Sequence, residues 1–404
     1  YAGGAAFSYA DVPASLNLTT SSHTCRIEVT NTVIRNSGGY GFYFDPDSII
    51  PVFTGNTITL NTSGAGYVYS DLAGNFGAAN TYTGNTVDAL MITSDQITTS
   101  QTWENIGIPY YVVGPATTLN VRAALVLDLG VDIKFAAGSG MLVDAAGSLS
   151  AIGSAVDKIT FSGFLSQIGY WAGLKFYNSN SIANALSYVS ITDGGSGVLS
   201  YADVAAGLVV TVNGSPSQIS IDNCNISSSG DYGIFLDIDT VINSFDSNVI
   251  ELNTGGSVYL YADNVGSLTA TSQYSNNTVN QVFINEGGGV ATAQTWHAID
   301  SDYVVGRTNI NVGVSAGLTI EPGVTIQFAG GSGFYIGNSG YLTADASGGS
   351  VIVFTGTTAM NGHWMGLQFY NTNSALNILD NVTVEYTGYQ TWSYASQPSA
   401  VSLA

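Results

Sequence analysis

The chain is 404 residues long and 45% apolar, yet only 9% of it is charged, against roughly 25% in ordinary globular domains, so Ser, Thr, Asn, Gln and Gly must cover much of the surface. Seven Lys plus Arg against 28 Asp plus Glu leave a net charge of -21, which repels phosphate backbones and anionic lipid and excludes nucleic-acid binding. No run approaches the ~18 consecutive apolar residues of a spanning helix, so membrane insertion is not expected.

The opening YAGGAAFSYADVPASLNLTTSSHTC has neither the basic start nor the apolar run of a signal peptide and reads as a mature product or a segment of something longer. From there the chain is a succession of short runs, among them YGFYF (40–44), ITLNT (58–62), VDIKF (131–135) and VTIQF (324–328), separated by Gly, Asn, Ser and Asp. In VDIKF, Val131, Ile133 and Phe135 are expected to point inward and Asp132 and Lys134 outward, which is the period of a strand. No long 3.6-residue stripe occurs, so helix should be nearly absent. Cys25 and Cys224 lie far apart at non-equivalent places in the repeat described next, so no disulfide framework can be read and small buried residues are expected.

Displacing the sequence by 192 residues superimposes YGFYF on YGIFL (232–236), ITLNT on IELNT (250–254) and GNTVDALMI (84–92) on NNTVNQVFI (276–284). A displacement of 193 superimposes QTW (101–103) on QTW (294–296), FAAGSGMLV (135–143) on FAGGSGFYI (328–336) and GLKFYNSNS (173–181) on GLQFYNTNS (366–374). The chain is therefore a tandem duplication, with copies at 1–192 and 193–385, and SYAD (8–11 and 200–203) returns as SYAS (393–396) to open a third copy over 386–404.

A finer beat runs inside each copy. Asn31, Asn56 and Asn85 each precede a short β-branched run, at spacings of 25 and 29, and Asn223, Asn248 and Asn277 repeat those spacings. A beat of about 25 residues is too long for a sandwich, with turns every 8–12 or so, and too short for propeller blades of about 40. The expected fold class is all-β: a right-handed parallel β-helix, one continuous solenoid with little or no helix. Asn tolerates the left-handed conformation at a turn, and the six are expected to bond amide to amide from rung to rung as a ladder. Roughly 16 rungs at about 4.8 Å each would make a rod on the order of 75 Å long.

The stretch LTIEPGVTIQFAGGSGFYIGNSGYLTADASGGSVIVFTG (318–356), followed by HWMGLQFYNTNSALNILDNVTVEYTG (363–388), resembles the right-handed β-helix repeats of the pectin-lyase-like superfamily. It is especially similar to versions in large secreted or surface-anchored microbial proteins. Copy one departs by placing Leu129 where Pro322 stands. The superfamily includes polysaccharide lyases, which hold Ca2+ on carboxylates beside a basic residue, and hydrolases with clustered Asp. The resemblance therefore implies a fold more directly than an activity.

Comparison of the two copies weighs that activity. Lys134 faces Gln327, Lys175 faces Gln368, Lys158 faces Val351 and Arg35 faces Ser227, while His297 matches Glu104, His363 matches Tyr170 and His23 matches Ser215. No base recurs, so the chain is read as not an enzyme. The acids that recur include Asp11 with Asp203, and the pairs Asp45 and Asp47 with Asp237 and Asp239. Two carboxylates two residues apart after a strand admit Ca2+; the plainer reading is a turn whose Asp side chains bond backbone N–H groups, and no other cofactor is implied. Trp103 with Trp296, Trp171 with Trp364 and Tyr177 with Tyr370 offer rings for stacking on sugars or, more plainly, core corners. Sequons stand at Asn17, Asn61, Asn213, Asn225, Asn276 and Asn381.

What the duplication keeps is core, turn and ladder. The expected function is a structural, extracellular or cell-surface repeat, forming a rod-like stalk, adhesin or self-stacking filament. Its expected partners are further copies, by end-to-end association or by continuation in a longer array, and surface glycans are a further candidate. The alternative is a carbohydrate-binding or polysaccharide-degrading β-helix; a trimeric phage-type fibre is a third reading.

Overall fold

The structure is a computed structural model that describes residues 3–21, 23–114, 118–285, 287, 289–306 and 311–404. Among the described residues every strand pairing is parallel, and the sheets stack as a β-solenoid of about 14 turns with about 3% helix. That helix is two 3-10 turns, Ser70–Asn75 and Ala262–Ser267, which fall at equivalent places in the two copies.

The coils stack strand on strand into three long faces and two short ones. The first face is a ten-stranded sheet running from Ala14–Leu18 to Val249–Glu251. The second is a twelve-stranded sheet from Gln96–Ile97 to Val382–Val384. The third begins with Cys25–Thr30 and Ser48–Thr54, passes through the turn Ser70–Asn75 to a six-stranded sheet ending at Val241–Asp246, and through the turn Ala262–Ser267 to a four-stranded sheet from Gln294–Trp296 to Ile378–Asp380; Val33–Arg35, Thr57–Thr59 and Thr81–Thr83 at one end, and a four-stranded sheet ending at Val401–Leu403 at the other, complete the coils.

The alternation in VDIKF holds: Val131, Ile133 and Phe135 are fully buried, while Asp132 and Lys134 face outward and pair at 3.8 Å. Inward residues stack coil on coil into one apolar column, Leu90 beside Tyr110 and Tyr110 beside Ile133. Volume is traded along it. A Cβ on Gly66 would lie 2.2 Å from the Phe42 ring, so Phe42 needs glycine there; copy two fills the same space with Ile234 beside Val258. Coil length varies with the loops between faces: Phe42 pairs with Gly66, but Leu174 pairs with Leu208. Those longer coils leave about 14 turns where a uniform beat gave 16.

The corners rest on left-handed residues, most of them followed by a buried one. Asn31 and Gly55 have φ of 50 and 66, and Asn36, Leu60 and Gly84 have φ of 55, 56 and 69. After them come two separate columns. In the first, Asn56 Oδ1 accepts from the N–H of Thr32 at 2.9 Å, Asn80 Oδ1 accepts from that of Asn56 at 3.1 Å, and Asn56 Nδ2 donates to the Val29 carbonyl at 2.9 Å. In the second, Ser37 leads to Asn61 at 3.0 Å and Asn61 to Asn85 at 3.1 Å, where Asp88 closes the series. Copy two repeats the pattern as Cys224–Asn248–Ser272 and Ser229–Asn253–Asn277.

The six asparagines expected to form one ladder thus occupy three kinds of place. Asn56 and Asn248 stand in the first column and Asn85 and Asn277 in the second. Asn31 and Asn223, with φ of 50 and 55, are the left-handed residues just before a column. Asn61, a sequon, is 1% exposed within its column and cannot accept a glycan in the folded chain. Cys25 and Cys224 are both free; burial pushes the Cys224 thiol up to about 12.

Truncating Asn56 to Ala would remove the partners of the Thr32 N–H and the Val29 carbonyl and one of the two bonds to Asn80 Oδ1. The expected loss is about 2–4 kcal/mol. Asn31→Gly keeps the left-handed turn and should shift stability by no more than ~0.5 kcal/mol. Urea unfolding of the two variants beside the parent checks the contrast; equal losses would contradict the column assignment.

Candidate functional site

The paired acids are occupied locally. Asp45 Oδ2 accepts from the Thr20 N–H at 2.8 Å and from its hydroxyl at 3.0 Å, and Asp237 accepts from the N–H groups of Val212 and Ile238 at 2.9 and 2.8 Å. Asp47 and Asp239 lie exposed in the same turns. Among the described residues no group of three His, Cys, Asp or Glu side chains is placed to hold a metal ion. The bonding fits the backbone-capping reading of these carboxylates; burial pushes the Asp237 carboxyl up from its ordinary range.

The recurring tryptophans are core. Trp103, Trp171, Trp296 and Trp364 are all 0% exposed, out of reach of a sugar ring. Trp171 stacks on Phe135 at 4.2 Å, and Trp364 stacks on Phe328 at 4.1 Å. Their indole N–H groups donate to the Thr192 and Glu385 carbonyls at 2.6 and 2.7 Å. Those carbonyls belong to the last residues before the segments that open the next copy.

These segments are the site. Residues 193–205 leave the first face and cross the outside of the second as a strap. Gly195 turns it, with φ 76, and Tyr201 kinks it, with φ 64. Its rear half grips copy one on the strand Gly173–Tyr177. Lys175, 5% exposed although it faces outward, bonds through Nζ to the Ser200 carbonyl and, at 3.1 Å, to its hydroxyl. The Tyr201 ring stacks on Tyr177 at 5.1 Å, with the Lys175 ammonium 5.0 and 5.6 Å from the two ring centres, within the range of cation–π attraction. Its front half grips copy two: Asp203 Oδ2 accepts from Tyr261 at 3.0 Å and Asn285 at 2.8 Å. Leu199, Ala202 and Val204 pack on an outer apolar cluster of Val209, Tyr232, Phe235 and Tyr259. Burial, then the Asp203 hydrogen bond, pushes the Tyr261 phenol up.

The same device recurs one repeat later. Gln368 Nε2 donates to the Ser393 carbonyl at 2.6 Å, Tyr394 stacks on Tyr370 at 4.9 Å, and Trp392 is 5% exposed where Leu199 stands in the earlier strap. Gly388 and Tyr394 keep φ of 89 and 68. The register is kept as well: Leu174 pairs with Leu208 as Leu367 pairs with Val401. Sequence reasoning found both phrases, KFY/QFY and SYAD/SYAS, but not that one is the seat of the other; the only trace was their common displacement of 193.

Comparison of the chain with protein-family models, with curated proteins and with solved structures finds no match.

The arrangement yields two predictions. Burial, partly offset by Asp237, lowers the Lys175 pKa from 10.5 to about 8. The unfolded chain therefore holds the proton more tightly, and stability rises as pH climbs from about 8 towards 10.5. Between pH 7 and 9.5 the gain is about 2 kcal/mol. Lys175→Gln, which copies Gln368, should abolish that rise in urea titrations across the window; an unchanged pH profile would contradict the buried-lysine geometry. Leu199 leaves a cavity of about 70 Å³ between strap and sheet, over Gly140 and Leu142. Leu199→Trp, copying Trp392, should add ~1 kcal/mol, seen as a higher thermal midpoint.

Proposed function

We propose that this chain is a structural, non-catalytic repeat of an extracellular or cell-surface protein, serving as a rod-like stalk, an adhesin shaft or a filament built of copies in line. One observation carries the reading: the side chains that recur between copies form core, corner columns or strap, and the strap's contacts hold one repeat to the next. The likeness of 318–388 to pectin-lyase-like β-helices of surface proteins agrees with it. So does the composition, with seven Lys plus Arg in 404 residues.

The placement of the repeat supports a shaft over a groove enzyme. Strand Ala206–Thr211 is the copy-two equivalent of Ala14–Leu18, yet it lies on the second face, not the first. Eight first-face strands, Ala14–Leu18 to Val189–Thr192, precede it. A lateral groove on one face is therefore not duplicated along that face. In copy one the outward Lys175 is held against Ser200, and in copy two a glutamine stands there.

Negative-stain electron microscopy of the chain should show rods about 65 Å long, from ~4.8 Å per coil. Compact globules would overturn the reading, as would release of unsaturated products from an acidic polysaccharide.

A further inference from the structure

The first strap, residues 3–13, has the shape of the other two but only half of their contacts. Gly3 and Tyr9 keep the left-handed turns, with φ of 76 and 69. The front half is engaged: the Tyr69 hydroxyl donates to Asp11 at 2.8 Å, as Tyr261 does to Asp203, and the Tyr40 N–H donates to the Pro13 carbonyl at 2.8 Å. The rear half is bare. Phe7, the equivalent of Leu199 and Trp392, is 65% exposed where Trp392 is 5% exposed. Among the described residues Tyr9 meets no ring, whereas Tyr201 and Tyr394 each stack on a tyrosine.

We propose that the Phe7–Ser8–Tyr9 segment is a preformed docking element for another copy of this repeat, seated on the outward face of that copy's Gly-Leu-Lys/Gln-Phe-Tyr strand. Phe7 lies over the glycine of the adjacent coil, the Ser8 carbonyl takes the amide or ammonium of the third residue, and Tyr9 stacks on the tyrosine. The occupant follows from the chain itself, which makes this contact twice, at Lys175/Tyr177 and at Gln368/Tyr370, with one spacing and one register. The charge also agrees. At a net charge of -21 two copies repel at long range, so a seat built of stacked rings, apolar contact and neutral amides suits self-association better than surface ion pairs do. The proposal deepens the rod reading and rests on it, since the seated copy must lie in line with the axis.

The strand Gly366–Phe369 already carries its own chain's strap, so a vacant seat is made by removing residues 386–404. In the full chain Phe7→Trp adds a sixth indole to five, and iodide should quench that one. Fusing residues 1–385 ahead of the Phe7→Trp chain places a vacant seat in line, and the quenchable share of emission should fall severalfold. If the new indole stays quenchable while micrographs show a rod of doubled length, the docking proposal fails and the rod reading stands. If no rod forms, the rod reading itself fails. For docking between molecules, the 1–385 chain alone should form head-to-tail oligomers by light scattering, and Phe7→Ser with Tyr9→Ser should return it to monomers. Those two residues are exposed, so loss of folding would not explain the return. Oligomers indifferent to the double substitution would mean sticking of bare sheet edges and would overturn docking in trans, leaving the fused chain to decide docking in line.

Discussion

A solenoid survives only if each coil ends where it began, one strand spacing further along, with its corner amides satisfied. Along the strands the parallel ladder does this. At the corners it cannot, because the chain turns through residues at positive φ and the next N–H points out of the ladder. The asparagine columns meet that need. Each Oδ1 accepts the N–H of the coil before, and most of the Nδ2 groups return a bond to a carbonyl of that coil. The columns end where a different side chain takes over, Asp88 in one copy and Asn280 in the other. Core volumes can therefore be traded, as between Phe42 with Gly66 and Ile234 with Val258, while the corners stay alike.

The nine-residue phrase that recurs as GLKFYNSNS and GLQFYNTNS is intelligible letter by letter on these terms. Gly173 and Gly366, at φ of 115 and 97, let a neighbouring carbonyl approach to where a Cβ would stand. Leu174 and Phe176 enter the core; Lys175 and Tyr177 face out and hold the strap. Asn178 and Asn371 turn the corner at φ of 53 and 52, and Ser179 and Thr372 bond the carbonyls of Gly147 and Gly340 at 2.8 and 2.7 Å. The lysine-to-glutamine change tolerates itself because either side chain can donate to a strap carbonyl. A catalytic base would not survive that exchange, since an amide takes up no proton at neutral pH.

What the sequence exposed was periodicity, because burial on one side of a strand and repetition along an axis both leave marks at fixed spacing. The alternation in VDIKF and the scarcity of helix follow from that. The asparagine columns were blurred for a physical reason. Two columns run five residues apart, and the left-handed residue before each is itself often Asn, so a spacing of 25 joined a turn residue to a column and one of 29 joined two columns. The bland reading of Asp45 and Asp237 matched their bonds because a short acid after a strand finds backbone N–H groups close by. The strap was invisible, since its contacts join the outer face of a strand to a loop one coil later and neither partner has a periodic signature of its own.

The phase of the repeat has a consequence for any assembly of copies. The strand Ala14–Leu18 on the first face returns as Ala206–Thr211 on the second, whereas Cys25–Thr30 returns as Gln218–Asp222 in the stack where it began. The outward residues of Ala14–Leu18 are therefore presented on a different face in copy two. Among the described residues no exposed sheet edge runs along the length of the solenoid, where strands of a stranger could pair. The only edges left are at the ends. Within the chain, the strap of residues 193–205 meets its seat across the step from copy one to copy two, adding side-chain contacts to the main-chain ladder there.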